Sequence, residues 1–139
     1  MGPYRESRLR QLCRGREGQF RVFGFIESVR QLAAASDLLV TNAGGVTLAE
    51  AMAAQPPMVC FGSLPGQAAR NERFATRAGM ALLARSEAEL LETIFRPFDA
   101  PEALRGLRDK IRRVRKPRAA EVVVESLLGR PARITEVAS

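Results

Sequence analysis

The strongest constraint on the fold is residues 36–61, where a short apolar run leads into a pair of glycines and then a helix-forming segment. The apolar run spans residues 37–41, and the helix-forming segment spans residues 46–54 and ends at a Pro-Pro pair. This order predicts a strand, a tight turn and a helix. A Gly-Gly turn lets the backbone approach a ligand closely, and the unpaired N–H groups at the start of the next helix suit a phosphate.

Two interpretations of this turn are open from the stretch alone. In the first, Gly44, Gly45, Val46 and Thr47 form a phosphate cradle at the start of the helix. In the second, Thr47 and Glu50 form a capping box, whose side chains satisfy backbone amides reciprocally, and the turn is only structural. The stretch is not a complete dinucleotide-binding or P-loop pattern, so it does not decide between them.

The length and composition predict a single folded domain. The chain has 139 residues, of which 46% are hydrophobic and 27% charged, as in ordinary globular proteins. We expect residues 1–129 to form the domain and residues 130–139 to be a tail. No apolar run reaches the roughly 18 residues of a membrane span, and the amino terminus lacks the apolar core of a signal peptide. We therefore expect a cytoplasmic protein.

The net charge, the lack of histidine and the two cysteines limit the expected partners and catalytic groups. The net charge of +7 predicts attraction to an anionic partner: nucleic acid, an anionic membrane surface or a phosphate-bearing ligand. The chain has no histidine, so an imidazole base would have to come from another chain. Cys13 and Cys60 lack a CxxC spacing, and we expect both to be buried, reduced thiols.

Strands alternate with helices along the rest of the chain. Apolar patterning predicts further strands at residues 19–26, 58–61 and 80–83, and helices at residues 4–14, 29–35, 67–78, 102–116 and 118–128. The continuous apolar run at residues 58–61 predicts a strand buried on both faces. Together these elements predict βαβ units and a parallel α/β sheet.

Helix starts are predicted at two serines. Ser28 is expected to cap a helix whose inward residues are Val29, Leu32 and Ala33. Ser86 and Glu89 match a capping box. The helix that this box opens is expected to bury Leu90, Leu91, Ile94 and Phe95.

Several motifs in this order resemble one enzyme family. They are residues 23–26, residues 32–51, residues 57–59 and the run Pro65-Gly66-Gln67 with Asn71 four positions on. The chain resembles the C-terminal, donor-binding domain of family 28 glycosyltransferases, in particular monogalactosyldiacylglycerol synthases and processive diacylglycerol glucosyltransferases. The resemblance implies half of a GT-B fold: a Rossmann-like parallel sheet flanked by helices, lacking its first two βα units, with C-terminal helices.

The resemblance also implies a site for a UDP-hexose donor, with no metal ion and no cofactor. Phe25 and Ile26 would lie along the uracil, and Glu50 would accept hydrogen bonds from the ribose hydroxyls. Glu50 and Thr47 are three residues apart on the predicted helix and so share one face. Phe25 is equally compatible with a core aromatic at the end of a strand.

The diphosphate would be held at the helix start. The resemblance assigns this role to Gly44, Gly45, Val46 and Thr47. Gln67 and Asn71 would approach the sugar or the phosphate, although the first turn of a solvated helix explains them as well. The family usually has an acidic residue after Pro-Gly-Gln, whereas this chain has Ala68 there, which puts sugar selectivity in doubt.

The reaction implied by the resemblance is the inverting transfer of a hexose to a lipid acceptor. In the family, the acceptor site and the catalytic base belong to an N-terminal domain that these residues do not contain. We therefore expect no catalytic residue here, and no turnover without that domain or a partner subunit. A non-catalytic remnant that binds a nucleotide diphosphate, or a basic nucleic-acid-binding module, is the alternative.

A basic segment near the carboxyl terminus has its own alternatives. It contains Arg105, Arg108, Arg112, Arg113, Arg115 and Lys116, together with Lys110 and Arg118. Leu104, Leu107, Ile111 and Val114 form an apolar stripe in the same segment. The helix either docks on the domain by this stripe or lies on the cytoplasmic face of an anionic membrane. Nucleic acid is not expected as its partner, since no DNA-binding or RNA-binding module is recognisable.

Overall fold

The computed structural model of the protein describes residues 3–16, 18–96 and 100–129. Within these ranges the elements are α1 (Pro3–Leu12), α2 (Val29–Ala34), β1 (Leu39–Thr41), α3 (Gly45–Ala54), β2 (Met58–Cys60), α4 (Gln67–Arg77), β3 (Ala81–Leu83), α5 (Glu87–Phe95), α6 (Pro101–Val114) and α7 (Ala119–Leu127). The predicted α/β class is confirmed. The expected tail at residues 130–139 lies outside the described residues.

The strands form one parallel sheet in the order β1-β2-β3. Neighbouring parallel strands need a crossover connection, which α3 supplies between β1 and β2 and α4 supplies between β2 and β3. All three residues of the central strand β2 are buried, as the continuous apolar run predicts. This open parallel sheet with flanking helices confirms the Rossmann-like interpretation.

The hydrophobic core joins the sheet to α3, α4 and α6. Met58, Met80 and Ile111 are among its largest fully buried side chains. Ile111 reaches this core from α6, and Leu107 is buried on the same helix. The apolar stripe of α6 therefore docks on the domain and is not free to enter a membrane. No helix of the described ranges is long and apolar enough to span one.

The predicted strand at residues 19–26 is wrong. Residues 20–26 have no regular secondary structure, and Phe20 and Phe23 are each 48% exposed. A strand persists through hydrogen bonds to a neighbour, but β1 pairs only with β2 in the described sheet. Alternation of apolar residues without a hydrogen-bonded neighbouring strand does not produce a strand.

Two predictions about helix starts and inward faces need correction. Ser28 precedes α2, but its side chain makes no capping hydrogen bond, and this six-residue helix buries Ala33 while Leu32 stays exposed. A helix this short presents only a narrow face to α3, which it contacts. On α5, Ser86 caps as predicted and accepts from the Glu89 N–H at 3.2 Å. The Glu89 carboxylate accepts from the N–H of Arg85, one residue earlier than expected.

The apolar side chains of α5 are not buried. Leu91 and Phe95 are exposed, and Leu90 and Ile94 are only half-buried. The helix follows β3, and it contacts the sheet at β2 and β3. Because a helix packed on a sheet by one side leaves its other side uncovered, its apolar periodicity overstates its burial.

The two thiols occupy different environments. Cys60 is buried, and this burial, with the charge of Glu72, raises the pKa of its thiol to about 11. Cys13 is only half-buried, because it lies just past the end of α1. The expectation of a buried thiol is thus right for Cys60 and wrong for Cys13.

Thiol labelling tests this difference. Since the thiolate is the reactive form, Cys13 should react with an aromatic disulfide reagent at pH 8 in the folded protein, and Cys60 should react only after unfolding. Titration of thiols with and without urea, on the parent and on Cys13→Ser, checks this. Rapid labelling of folded Cys13→Ser would contradict the burial of Cys60.

Truncation of Ile111 tests the docking of α6. Ile111→Ala should lower the free energy of unfolding by about 2–5 kcal/mol, since it removes buried methylenes and leaves a cavity. Val123→Ala, at an exposed position of α7, is the matched control and should change it by about 0.5 kcal/mol or less. Urea unfolding measures both. Equal effects of the two variants would mean that α6 is not part of the core.

Candidate functional site

The candidate site lies where β1 leads into α3. The carboxyl ends of parallel strands share one edge of a sheet, and ligands of open α/β sheets bind outside that edge. Here the edge carries the turn at residues 42–44 and the loop at residues 61–66. The Ser63 hydroxyl joins them by donating to the carbonyl of Asn42 at 3.1 Å.

The bend in the turn occurs at Ala43, not at the glycines. Ala43 is fully buried and has a left-handed φ of 56°, whereas Gly44 has φ −57°. A left-handed residue other than glycine costs about 1 kcal/mol or more. Two hydrogen bonds hold it: its N–H donates to Thr41 Oγ1 at 3.2 Å, and its carbonyl accepts from Asn71 Nδ2 at 3.0 Å.

The structure removes the capping-box interpretation of Thr47 and Glu50. Helix α3 begins at Gly45 with Gly44 as its N-cap, so Thr47 is already the third helical residue and cannot be the cap. No side chain caps this end within the described residues. The first turn of α3 is open to solvent, with Gly45 and Val46 both exposed.

Side-chain donors of α4 converge on this open helix end. A Cβ built on Gly45 would lie 3.5 Å from Gln67 Nε2 and 3.7 Å from Asn71 Nδ2. A Cβ built on Gly44 would lie 3.7 Å from Asn42 Oδ1 and 3.9 Å from Thr47 Oγ1. The glycines therefore leave space beside four neutral polar groups, of which only the Asn42 oxygen cannot donate. Such a surface of backbone and side-chain donors suits an anion with many acceptor oxygens.

Gln67 and Asn71, although one turn apart on α4, have different environments. Gln67 is exposed, as expected for a first helical turn in solvent. Asn71 is half-buried and bonded to Ala43, so it is not simply a solvated residue. Its side chain fixes α4 against the turn.

Glu50 stands one turn beyond Thr47 on α3. Its side chain is half-buried, and it forms no hydrogen bond or ion pair with any described residue. The carboxylate is therefore free to accept hydrogen bonds from a ligand. Within the described ranges, no three His, Cys, Asp or Glu side chains are grouped as a metal site would require.

Phe25 and Ile26 are not part of this cluster of contacts. They lie in the irregular segment before α2, where Phe25 is 94% exposed and Ile26 is half-buried. The alternative of a core aromatic is therefore wrong for Phe25. The ring is accessible, but the hydrogen bonds of the turn at residues 42–44 involve neither residue.

The basic residues predicted for a membrane surface are partly engaged within the domain. Arg108 lies 3.9 Å from Asp37, and Arg112 lies 3.5 Å from Asp109 and donates to Gln55 Oε1 at 3.0 Å. The other four residues of the set differ in exposure: Arg105, Arg113 and Lys116 are exposed, and Arg115 is half-buried.

Four contributors to the turn are not predicted from the sequence. Thr41, Asn42 and Ser63 supply the hydrogen bonds that shape it, and Ala43 supplies the strained bend. A signal was present, since Thr41, Asn42 and Ser63 are polar residues at or just after the ends of apolar strands. Residues at such positions often carry function in α/β proteins.

Comparison with known proteins supports the resemblance. No protein-family model matches the chain. The chain is 27% identical over 108 residues to the processive diacylglycerol β-glucosyltransferases of Bacillus thuringiensis (strain Al Hakam) and Bacillus cereus (strain AH187). It is 27% identical over 110 residues to the enzyme of that name from Bacillus subtilis (strain 168). The predicted resemblance to family 28 glycosyltransferases is confirmed.

The match to these glucosyltransferases covers most of this chain but little of theirs. It includes 78% of the chain and 28% of the length of the first relatives. This share is consistent with one domain of such an enzyme, as the resemblance to a C-terminal donor-binding domain implies.

Removal of the Asn71 side chain tests the hydrogen bond to Ala43. Asn71→Ala should lower the free energy of unfolding by about 1–3 kcal/mol, because a buried carbonyl loses its donor at a strained residue. Gln67→Ala, one turn earlier and exposed, is the control and should be close to neutral. Urea unfolding compares the two variants. A neutral Asn71→Ala would show that the turn does not depend on this bond.

Proposed function

We propose that the chain binds a UDP-hexose and is the donor-binding part of an inverting glycosyltransferase that transfers the hexose to a lipid acceptor. The observation that carries this proposal is the uncapped amino end of α3, with side-chain donors of α4 beside it. The named relatives support the reaction type, since they are diacylglycerol glucosyltransferases.

The diphosphate would bind at Gly44, Gly45, Val46 and Thr47. The free amides of a helix end carry a partial positive charge equivalent to roughly half an elementary charge. Gln67 and Asn71 add neutral donors, so no protein anion has to be displaced before a phosphate binds. When the sugar is transferred, negative charge develops on the departing diphosphate, and preorganised donors stabilise it.

The nucleoside would be recognised beside this cradle. Glu50 has a carboxylate without an internal partner, one turn along α3, and we assign it to the ribose hydroxyls. The exposed ring of Phe25 offers an aromatic surface to the uracil, and Ile26 would offer backbone groups to the edge of the base. These assignments follow the family resemblance.

The acceptor site and the catalytic base are assigned to the part of the relatives that the match does not cover. The described residues of this chain offer the departing diphosphate stabilisation but offer the acceptor hydroxyl no histidine base. We therefore propose that transfer requires an acceptor domain from the same or a second polypeptide. The assembled enzyme would work at the cytoplasmic face of a membrane, where a lipid acceptor is accessible.

Calorimetric titration of UDP tests the donor site. Glu50→Ala should weaken UDP binding about 10-fold or more, because hydrogen bonds to a charged group are worth about 1.5–3 kcal/mol. Glu92→Ala removes an exposed carboxylate of α5 and should bind UDP like the parent. If the parent binds no UDP, or if Glu50→Ala binds it equally well, the proposal is wrong.

Gly45→Ala separates binding from stability. The added methyl group meets only ordinary contacts, and alanine favours the helix by about 0.5–1 kcal/mol, so the variant should fold at least as stably as the parent. The methyl group covers the open helix end and should weaken the binding of UDP more than that of UMP, which lacks the second phosphate. Unchanged UDP affinity would place the diphosphate elsewhere.

A further inference from the structure

A basic and aromatic surface lies on α4, outside the proposed donor site. Arg70, Arg73, Phe74 and Arg77 line, with Ala78, a shallow concavity of about 590 Å³. These positions are three, four and seven residues apart and so form one stripe along the helix. Ala75, between them in sequence, is fully buried. We call this stripe the α4 surface.

The charges of the α4 surface are not neutralised within the domain. Arg70, Arg73 and Arg77 are exposed, and none of them forms an ion pair with a described residue. On α6, by contrast, Arg108 and Arg112 each lie close to a carboxylate. Arg105, Lys110 and Arg113 of α6 are also exposed and have no ion pair with a described residue, so α4 differs from α6 in the aromatic ring among its arginines and not in the number of free basic side chains.

Lys110 extends this surface towards α6. A Cβ built on Gly79, just after α4, would lie 2.7 Å from Lys110 Cδ and 3.0 Å from its Nζ. The lysine side chain thus lies against Gly79, just after the carboxyl end of α4, and adds a basic group from α6 at this end of the helix.

An exposed aromatic ring stands among these charges. Phe74 is 49% exposed, although a phenylalanine on an amphipathic helix usually faces the core. Arginines around an aromatic ring suit the surface of a bilayer. Guanidinium groups bind the lipid phosphates there, and aromatic rings lie at the depth of the headgroups.

We propose that the α4 surface binds the anionic headgroups of a lipid bilayer, with Phe74 in the interface. This proposal rests on the proposed function, because an enzyme that transfers a sugar to a lipid acceptor has to reach a membrane. Gln67 and Asn71 at the amino end of the same helix adjoin the donor site, and Asn71 holds α4 to the turn at 3.0 Å. Docking by α4 would therefore fix the orientation of the donor site relative to the membrane.

Co-sedimentation of the full chain with lipid vesicles tests this surface. The parent should bind phosphatidylcholine vesicles that contain phosphatidylglycerol and should not bind phosphatidylcholine alone. The triple variant Arg70→Glu, Arg73→Glu, Arg77→Glu should bind the anionic vesicles about 100-fold more weakly or worse, from about 1 kcal/mol per basic residue. Equal binding by parent and variant overturns the proposal.

The matched control changes the net charge equally at another place. Arg16→Glu, Arg21→Glu, Arg30→Glu reverses three exposed arginines outside α4 and should retain most of the vesicle binding. An equal loss in both triple variants would show that only net charge matters, which overturns the proposal. So would a loss confined to Arg105→Glu, Arg113→Glu, Lys116→Glu, on and just after α6, or tighter binding of duplex DNA than of vesicles through the same α4 arginines.

A fluorescent reporter tests the position of Phe74 directly. The chain has no tryptophan, so Phe74→Trp introduces a single one. Its emission should shift to shorter wavelength on anionic vesicles, whereas that of Phe23→Trp, at a position of equal exposure, should not. A shift in both variants or in neither overturns the proposal.

UDP titration separates this proposal from the proposed function. The α4 triple variant should bind UDP like the parent. If the parent binds no UDP, the donor site is wrong and the membrane surface is not affected.

Discussion

One hydrogen bond, from the Asn71 side chain to the carbonyl of Ala43, ties α4 to the turn that leads into α3, and the candidate site depends on that contact. Ala43 is buried in an unfavourable left-handed conformation, so the turn persists only because its neighbours satisfy its backbone groups. The same bond positions α4 beside the start of α3. The open helix end and the donors around it are consequences of that contact.

The arginines of α4 and α6 differ in whether a carboxylate lies near them. Leu107 and Ile111 bind α6 to the core, and two of its arginines lie near carboxylates, so this helix belongs to the scaffold. Helix α4 buries Ala75 and leaves its arginines unpaired around Phe74. Helix α6 thus combines a buried apolar stripe with exposed basic residues, while α4 places its exposed arginines around a half-exposed aromatic ring.

The similarity to processive diacylglycerol glucosyltransferases and the local geometry support different parts of the functional hypothesis. The similarity covers 28% of the length of those enzymes and bears on the reaction class. The geometry bears on where an anion would bind, because neutral donors converge beside glycines that leave room for it. Neither alone assigns the sugar, and the two together define which side chains an experiment should change.

The core of the fold was predictable from local pattern. Residues 37–61 encode β1, α3 and β2 through an apolar run, a glycine turn and a Pro-Pro stop, all of which act on neighbouring residues. The strand expected at residues 19–26 did not form, because pairing depends on a partner strand and not on alternation.

Chain composition and short-range periodicity therefore account for the α/β class, the parallel sheet and the choice of Gly44 to Thr47 as the region of interest. They could not show that Ala43 bends the turn, since its strain is held by Asn71, 28 positions away. They also could not show that Phe25 is exposed or that the α4 arginines lack partners among the described residues. Each of these depends on which distant groups come into contact, and that is defined only when the chain is packed.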